Sequence, residues 1–133
     1  MHLKIITHDN IVFDDEVSEI YTRGVDGEFG VLKGHIPIIS ALDIGVTKVV
    51  QKDVCKFFTT MGGIFQFKND EAVILTDVAE DGTNIDVTRA KAAKERAEAR
   101  LAEANADIDV KRAEAALARA LARLKVAVGQ SKN

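Results

Sequence analysis

Between Gly82 and Gly129 the chain contains no glycine, no proline and no aromatic residue, while all six Phe, the one Tyr, the one Pro and eight of nine Gly lie before residue 83. This break divides the chain into two segments with different local rules. In the first, short runs rich in β-branched and aromatic residues occur at Leu3–Thr7, Ile11–Phe13, Val17–Tyr21, Phe29–Leu32, Ile44–Val50, Val54–Thr60, Ile64–Phe67 and Ala72–Val78. Turn-forming clusters separate them: His8-Asp9-Asn10, Val25-Asp26-Gly27, Gln51-Lys52-Asp53 and Lys68-Asn69-Asp70. That rhythm predicts an antiparallel β-sandwich over residues 1–84. The second segment, 85–133, is rich in Ala, Arg, Lys, Glu and Leu, which predicts a helical hairpin and makes the whole an α+β chain.

The helical segment repeats itself. Residues 85–104 (IDVTRAKAAKERAEARLAEA) match 108–127 (IDVKRAEAALARALARLKVA) at an offset of 23, pairing Ile85, Asp86, Val87, Arg89, Arg96, Arg100 and Leu101 with Ile108, Asp109, Val110, Arg112, Arg119, Arg123 and Leu124. Asp86 and Asp109 stand where helix N-caps are expected, their carboxylates also favourable at the positive end of a helix dipole. Asn105 and Asp107 place the turn around Glu103–Asp107. In each copy the arginines recur at i, i+7 and i+11, which stacks them in a narrow angular band. Two readings of that stripe stay open. It can hold an anion, since planar guanidinium groups fork onto phosphate oxygens, or it can be a solvated face paired with Glu95, Glu98, Glu103 and Glu114.

An apolar seam in the second helix follows Val110, Ala113, Leu117, Leu121, Leu124 and Val128, against Ala90, Ala93, Ala97, Leu101 and Ala104 in the first. Alanine buries little area, at roughly 25 cal/mol per Å², yet has the highest helix propensity. The hairpin is therefore expected to be a lightly held arm whose helices persist when it leaves the sandwich.

Charge and motifs exclude several function classes. The net charge of −3 hides a basic tail: residues 1–84 carry seven Lys/Arg against fourteen Asp/Glu, and 85–133 carry eleven against seven. An acidic chain of this kind is not a general nucleic-acid binder. No apolar run approaches the roughly 20 residues that span a bilayer, and the first residues do not form a signal peptide, so a soluble, cytosolic chain is expected. Cys55, the lone cysteine, can form neither an internal disulfide nor a cysteine metal cluster. His35, in Gly34-His35-Ile36-Pro37, lacks a nucleophile or base at catalytic spacing and is read as an interface contact beside Glu28. Neither GxxxxGK[ST] nor GxGxxG occurs, so any nucleotide is held by other means.

GEFGVLKGHIPIISAL (27–42), MGGIFQF (61–67) and NIDVTRAKAAKERAEARL (84–101), in that order, resemble the epsilon subunits of bacterial F-type ATP synthases. Ile85-Asp86-Val87-Thr88-Arg89-Ala90 resembles the I/L-D-x-x-R-A motif of ATP-sensing members, and Lys33 stands where that family commonly has proline. The resemblance implies a non-catalytic rotor subunit on the cytoplasmic face of the cell membrane. Its sandwich would sit on the gamma subunit and the c-ring, with Glu28 and His35 toward the ring. Its arm would either fold down or extend along gamma among the alpha and beta subunits. In the extended state Lys111, Arg112, Arg119, Arg123 and Lys125 would meet an acidic segment of the beta subunit and block hydrolysis. By the same resemblance, ATP would be held by Glu80, Ile85, Asp86, Arg89, Ala90, Arg96, Arg119 and Arg123, as a regulatory ligand rather than a required cofactor, and no metal is implied. The competing reading is a non-rotary adaptor whose helical hairpin is a constitutive dock.

Overall fold

The computed structural model describes residues 1–103 and 107–132. Eight strands form the N-terminal part: β1 (His2–Ile6), β2 (Ile11–Glu16), β3 (Glu19–Gly24), β4 (Gly27–Leu32), β5 (Ile38–Gln51), β6 (Val54–Lys68), β7 (Glu71–Leu75) and β8 (Ala79–Asp81). They join in the order β2-β1-β7-β6-β5-β3-β4, with β8 added to β6. A 3-10 turn at Gly82–Asn84 leads into α1 (Val87–Glu103) and then α2 (Asp107–Lys132).

Two long strands turn the single sheet into two layers. The first half of β6 pairs with β8 (Phe58↔Asp81, Thr59↔Glu80, Thr60↔Ala79), and its second half pairs on the same edge with β7, from Ile64↔Leu75 to Lys68↔Glu71. Gly62 and Gly63 divide the halves at φ +78 and +109, where a side chain is strained. A Cβ on Gly63 would lie 1.9 Å from the Leu75 carbonyl oxygen, so only glycine permits the close crossing. Both layers supply one core, including Leu3, Ile5, Phe65 and Ile74 from one side and Ile20, Val31, Val49 and Phe58 from the other. Within it the hydroxyls of Thr22, Thr47 and Thr60 satisfy one another in a buried chain at 2.8 and 3.1 Å.

Four sequence expectations are corrected. The runs 54–60 and 64–67 are one strand, because Gly62-Gly63 bends the chain without ending it. The run at 44–50 begins earlier, at Ile38. The run at 72–78 ends as a strand at Leu75, and a separate strand, β8, begins beyond it at Ala79 and pairs with the other half of β6. The sandwich is not wholly antiparallel: β1 and β7 pair parallel over His2↔Glu71 to Ile6↔Leu75, since the N-terminal strand enters between β2 and β7.

Asp86 caps α1 as expected, its Oδ1 accepting from the Arg89 backbone N–H at 3.0 Å. Asp109 does not cap α2. That helix begins at Asp107, so Asp109 lies within its first turn, where its charge still suits the helix dipole. The turn expected around Glu103–Asp107 lies largely outside the described residues.

The seam between the helices is narrower than the leucine pattern suggested. Ala90 and Ala97 are buried on α1, and Ala113, Ala120 and Ala127 on α2, each set at seven-residue spacing. Of the expected seam Ala90, Ala97 and Ala113 are buried and Val110, Leu117 and Leu124 half-buried, while Leu121 and Val128 are 39% and 53% exposed. A second face of α2, carrying Ala122, Val126 and Gly129, is turned to the sandwich: Ala122 and Val126 are buried, and a Cβ on Gly129 would lie 2.9 Å from the Phe57 ring. α2 packs on β5, β6, β8 and the 3-10 turn, whereas α1 packs mainly on α2. Among the described residues no helix is long and apolar enough to cross a membrane.

Candidate functional site

Where the end of the sandwich meets both helices, a cleft of about 330 Å³ is lined by Glu80, Ile85, Asp86, Arg89, Ala90, Ala93, Arg96 and Arg123. Each wall has a local cause. Glu80 is positioned by β8: its N–H donates to Thr59 Oγ1 at 3.0 Å, and that hydroxyl lies 3.4 Å from Glu80 Oε1. Asp81 accepts from the Thr83 N–H at 2.9 Å and turns the chain toward α1. The Asp86 cap then fixes the first turn of α1 and with it Arg89, with Arg96 two turns further along the same face. From α2, Arg123 Nε donates to Glu80 Oε1 at 2.8 Å.

That ion pair ties α2 to the sandwich. Its side chains are 31% and 28% exposed, so its net contribution is about 1 kcal/mol or less, and its geometry matters more than its strength. With Glu80 engaged by Arg123 and Asp86 engaged as a cap, Arg89 and Arg96 have no ion-pair partner among the described residues. Three guanidinium groups face two carboxylates, which leaves the cleft cationic. Planar donors from two helices and an engaged carboxylate at the rim suit a phosphate-bearing ligand that also offers hydroxyl or amino donors.

The arginines do not form a stripe neutralised by glutamates. Among the described residues Arg89, Arg96, Arg100, Arg112 and Arg119 make no salt bridge, with Glu95, Glu98, Glu103, Glu114 or any other carboxylate. Seven of the eight residues expected to meet ATP line this cleft; Arg119, half-buried on α2, does not. Two contributors escaped the sequence reading. Ala93 lies one turn beyond Arg89 on the same face, a spacing that could have found it. Thr59 lies 21 residues before Glu80 and carries no sequence signal.

Other candidate residues are dispersed. Glu28 is the second residue of β4, while His35 follows that strand in a turn where its N–H donates to the Leu32 carbonyl at 3.1 Å. About 13 Å of extended strand separates Glu28 from Leu32, so the two are not side by side as expected. The His35 ring lies edge-on to Phe67, with centroids 6.1 Å apart. Lys111, Arg112 and Lys125 are exposed on α2, while Arg119 and Arg123 are half-buried. Cys55 is half-buried and forms no disulfide.

Comparison with known proteins bears on this arrangement. Residues 1–82 match the beta-sandwich domain, and residues 83–127 the long alpha-helix domain, of the ATP synthase Delta/Epsilon chain. The chain is 44% identical over 104 residues to an ATP synthase epsilon chain of Lawsonia intracellularis, covering 78% of each chain. It is 45% identical over 101 residues to that of Desulforamulus reducens, covering 74% of this chain and 75% of the relative. It is also similar to a chain in a cryo-EM structure of Euglena gracilis mitochondrial ATP synthase (OSCP/F1/c-ring), with a TM-score of 0.81 at 25% identity over 95% of this chain and 79% of that one. A chain from the central stalk and c-ring of Tetrahymena thermophila mitochondrial ATP synthase shares the fold at a TM-score of 0.64 and 13% identity. A sandwich and a helical hairpin that each match a domain of one subunit, with curated relatives above 40% identity over three-quarters of the chain, establish that this protein belongs to the ATP synthase epsilon chain family.

Proposed function

We propose that this chain is a non-catalytic central-stalk subunit whose helical arm restrains ATP hydrolysis when extended and is held down when ATP occupies the cleft between the helices. The sandwich would join gamma to the c-ring, with Glu28 and His35 on surfaces that face the ring. The protein would thus be peripheral to the membrane, on its cytoplasmic face. The released arm would reach alongside gamma toward the alpha and beta subunits, presenting Lys111, Arg112, Arg119, Arg123 and Lys125 to an acidic segment of beta.

One observation carries the sensing part. The cleft takes Arg89 and Arg96 from α1, Arg123 from α2 and Glu80 from the sandwich, so it exists only while all three are together. A ligand bound there has affinity for the docked arm and none for the released one, which is the condition for shifting a two-state equilibrium. At a concentration about 100 times its Kd, such a ligand favours the docked state by about 2.7 kcal/mol. The docked face of α2 carries small side chains, Ala122, Val126 and Gly129, which bury little area each, so a shift of that size bears on the outcome.

Two experiments test the proposal. Removing residues 85–133 should leave assembly with gamma intact and raise ATP hydrolysis by the complex; unchanged hydrolysis would remove the inhibitory role. Titrating the isolated subunit with millimolar ATP should give saturable amide shifts in α1 and α2 that Arg89→Ala weakens at least tenfold. Equal binding by that variant would rule out the cleft.

A further inference from the structure

The 23-residue repeat is folded into an antiparallel pair, so every feature built from one end of α1 and the other end of α2 has a counterpart at the opposite end. A second cavity, of about 370 Å³, lies there, lined by Arg100, Glu103, Asp109, Arg112 and Ala113. Four of these residues are repeat partners of ones lining the first cleft, and Glu103 stands at the same offset from Glu80, which precedes the repeat. Arg100 corresponds to Arg123, Glu103 to Glu80, Asp109 to Asp86, Arg112 to Arg89 and Ala113 to Ala90, in every case at an offset of 23. The correspondence reaches beyond the helices, because Glu80 belongs to β8 and Glu103 to the last turn of α1.

We infer that this cavity is a second, weaker binding site for a nucleoside polyphosphate. Arg100 and Arg112 come from different helices, and among the described residues neither has a salt-bridge partner. Their guanidinium groups are free to fork onto phosphate oxygens, while Glu103 and Asp109 can accept from sugar hydroxyl or base amino groups. Among the described residues the chemical inventory is that of the first cleft with one guanidinium fewer, since Arg119, the partner of Arg96, does not line it. It also lacks the wall that the sandwich gives the first cleft. Both losses weaken binding, and one charge-assisted hydrogen bond alone accounts for about tenfold. Because the second cavity needs only the two helices, it survives release of the arm from the sandwich. Arg112, proposed above to face the beta subunit, would then carry a bound phosphate instead.

The test uses the full chain labelled with 15N and titrated with ATP, reading the amides of Ala90 and Ala113. The expected result is two isotherms, the one at Ala113 about tenfold weaker. Arg100→Gln with Arg112→Gln should abolish the Ala113 isotherm and leave that at Ala90. Both arginines are exposed, so the variant keeps its fold. No saturable response at Ala113, or a response with the midpoint of Ala90 that Arg89→Gln also abolishes, overturns the second site. Equal binding of tripolyphosphate overturns its assignment to a nucleoside. Saturation at Ala113 with none at Ala90 would refute the proposed sensing cleft while leaving this inference standing.

Discussion

Substituting Val126 by Ala isolates what holds the arm to the sandwich. Val126 has no exposed surface and shares its helix face with Ala122 and Gly129, whereas Val128, two residues on, is 53% exposed. Removing two fully buried methyl groups costs about 1.6 kcal/mol in transfer and somewhat more for the space left, about 2 kcal/mol in all. Release lets the terminal turns of α2 fray, so there alanine's higher helix propensity returns up to about 0.5 kcal/mol to the docked state. The net, about 1.5 kcal/mol, raises the population of released arm about tenfold. At Val128 the same substitution loses about half the transfer term and gains the same propensity, so it should fall within about 0.5 kcal/mol of wild type. Hydrogen–deuterium exchange of the isolated subunit reads both effects. Amides of α2 should exchange about tenfold faster in Val126→Ala, with those of β5 and β6 unchanged, and nearly as in wild type in Val128→Ala. Equal acceleration in both variants, or loss of protection in the strands together with α2, would refute an arm that opens independently.

Gly129 lies inside α2, where alanine would ordinarily stabilise a helix by about 1 kcal/mol. Here Gly129→Ala should release the arm instead, because its Cβ meets the Phe57 ring at 2.9 Å, and adding Phe57→Leu should restore α2 protection. A pH effect is expected at the opposite edge of the sandwich. His2 bonds to Asp14 and, at 3.0 Å, to Glu16, which raise its pKa above 6.5, with Asp14 the larger cause. A raised histidine pKa contributes stability that is present below the unfolded value and lost as pH rises through the folded one. Exchange protection of β1 and β2 should therefore decline as pH rises above the ordinary histidine value of about 6.5, and His2→Gln should flatten that profile.

The sequence was most informative where chemistry is local. Asp86 ahead of an Ala/Arg/Lys run is a cap because its carboxylate reaches an N–H three residues away, and such a contact needs no tertiary knowledge. The cationic stripe was legible for the same reason, since residue spacing sets angular position on a helix. What the repeat could not disclose is which arginines share a cavity, because that depends on two helices running in opposite directions. Arg119, which the resemblance adds to the site, does not line the cleft, while Thr59, which positions Glu80, is brought there by strand pairing. The seam was misjudged for a physical reason. Helical spacing groups leucines and alanines on one face without ranking them, whereas in the fold the fully buried ridge consists of alanines at seven-residue intervals and Leu117 and Leu124 are only half-buried. The runs 54–60 and 64–67 read as separate strands because nothing local joins them, whereas Gly62-Gly63 lets one strand, β6, cross from one layer to the other.

Covalent order and packing order run opposite ways in this molecule. α1 follows the sandwich directly in the chain yet lies outermost, and α2, last in the chain, is wedged beneath it against the strands. The short link at 82–86, packed on α2 through its 3-10 turn, shares the holding of α1 with a clasp near the far terminus, formed through Val126 and Gly129. Anything that trims, modifies or grips the last turns of α2 would unlatch both helices at once, which makes the C-terminal end the place from which the arm is controlled.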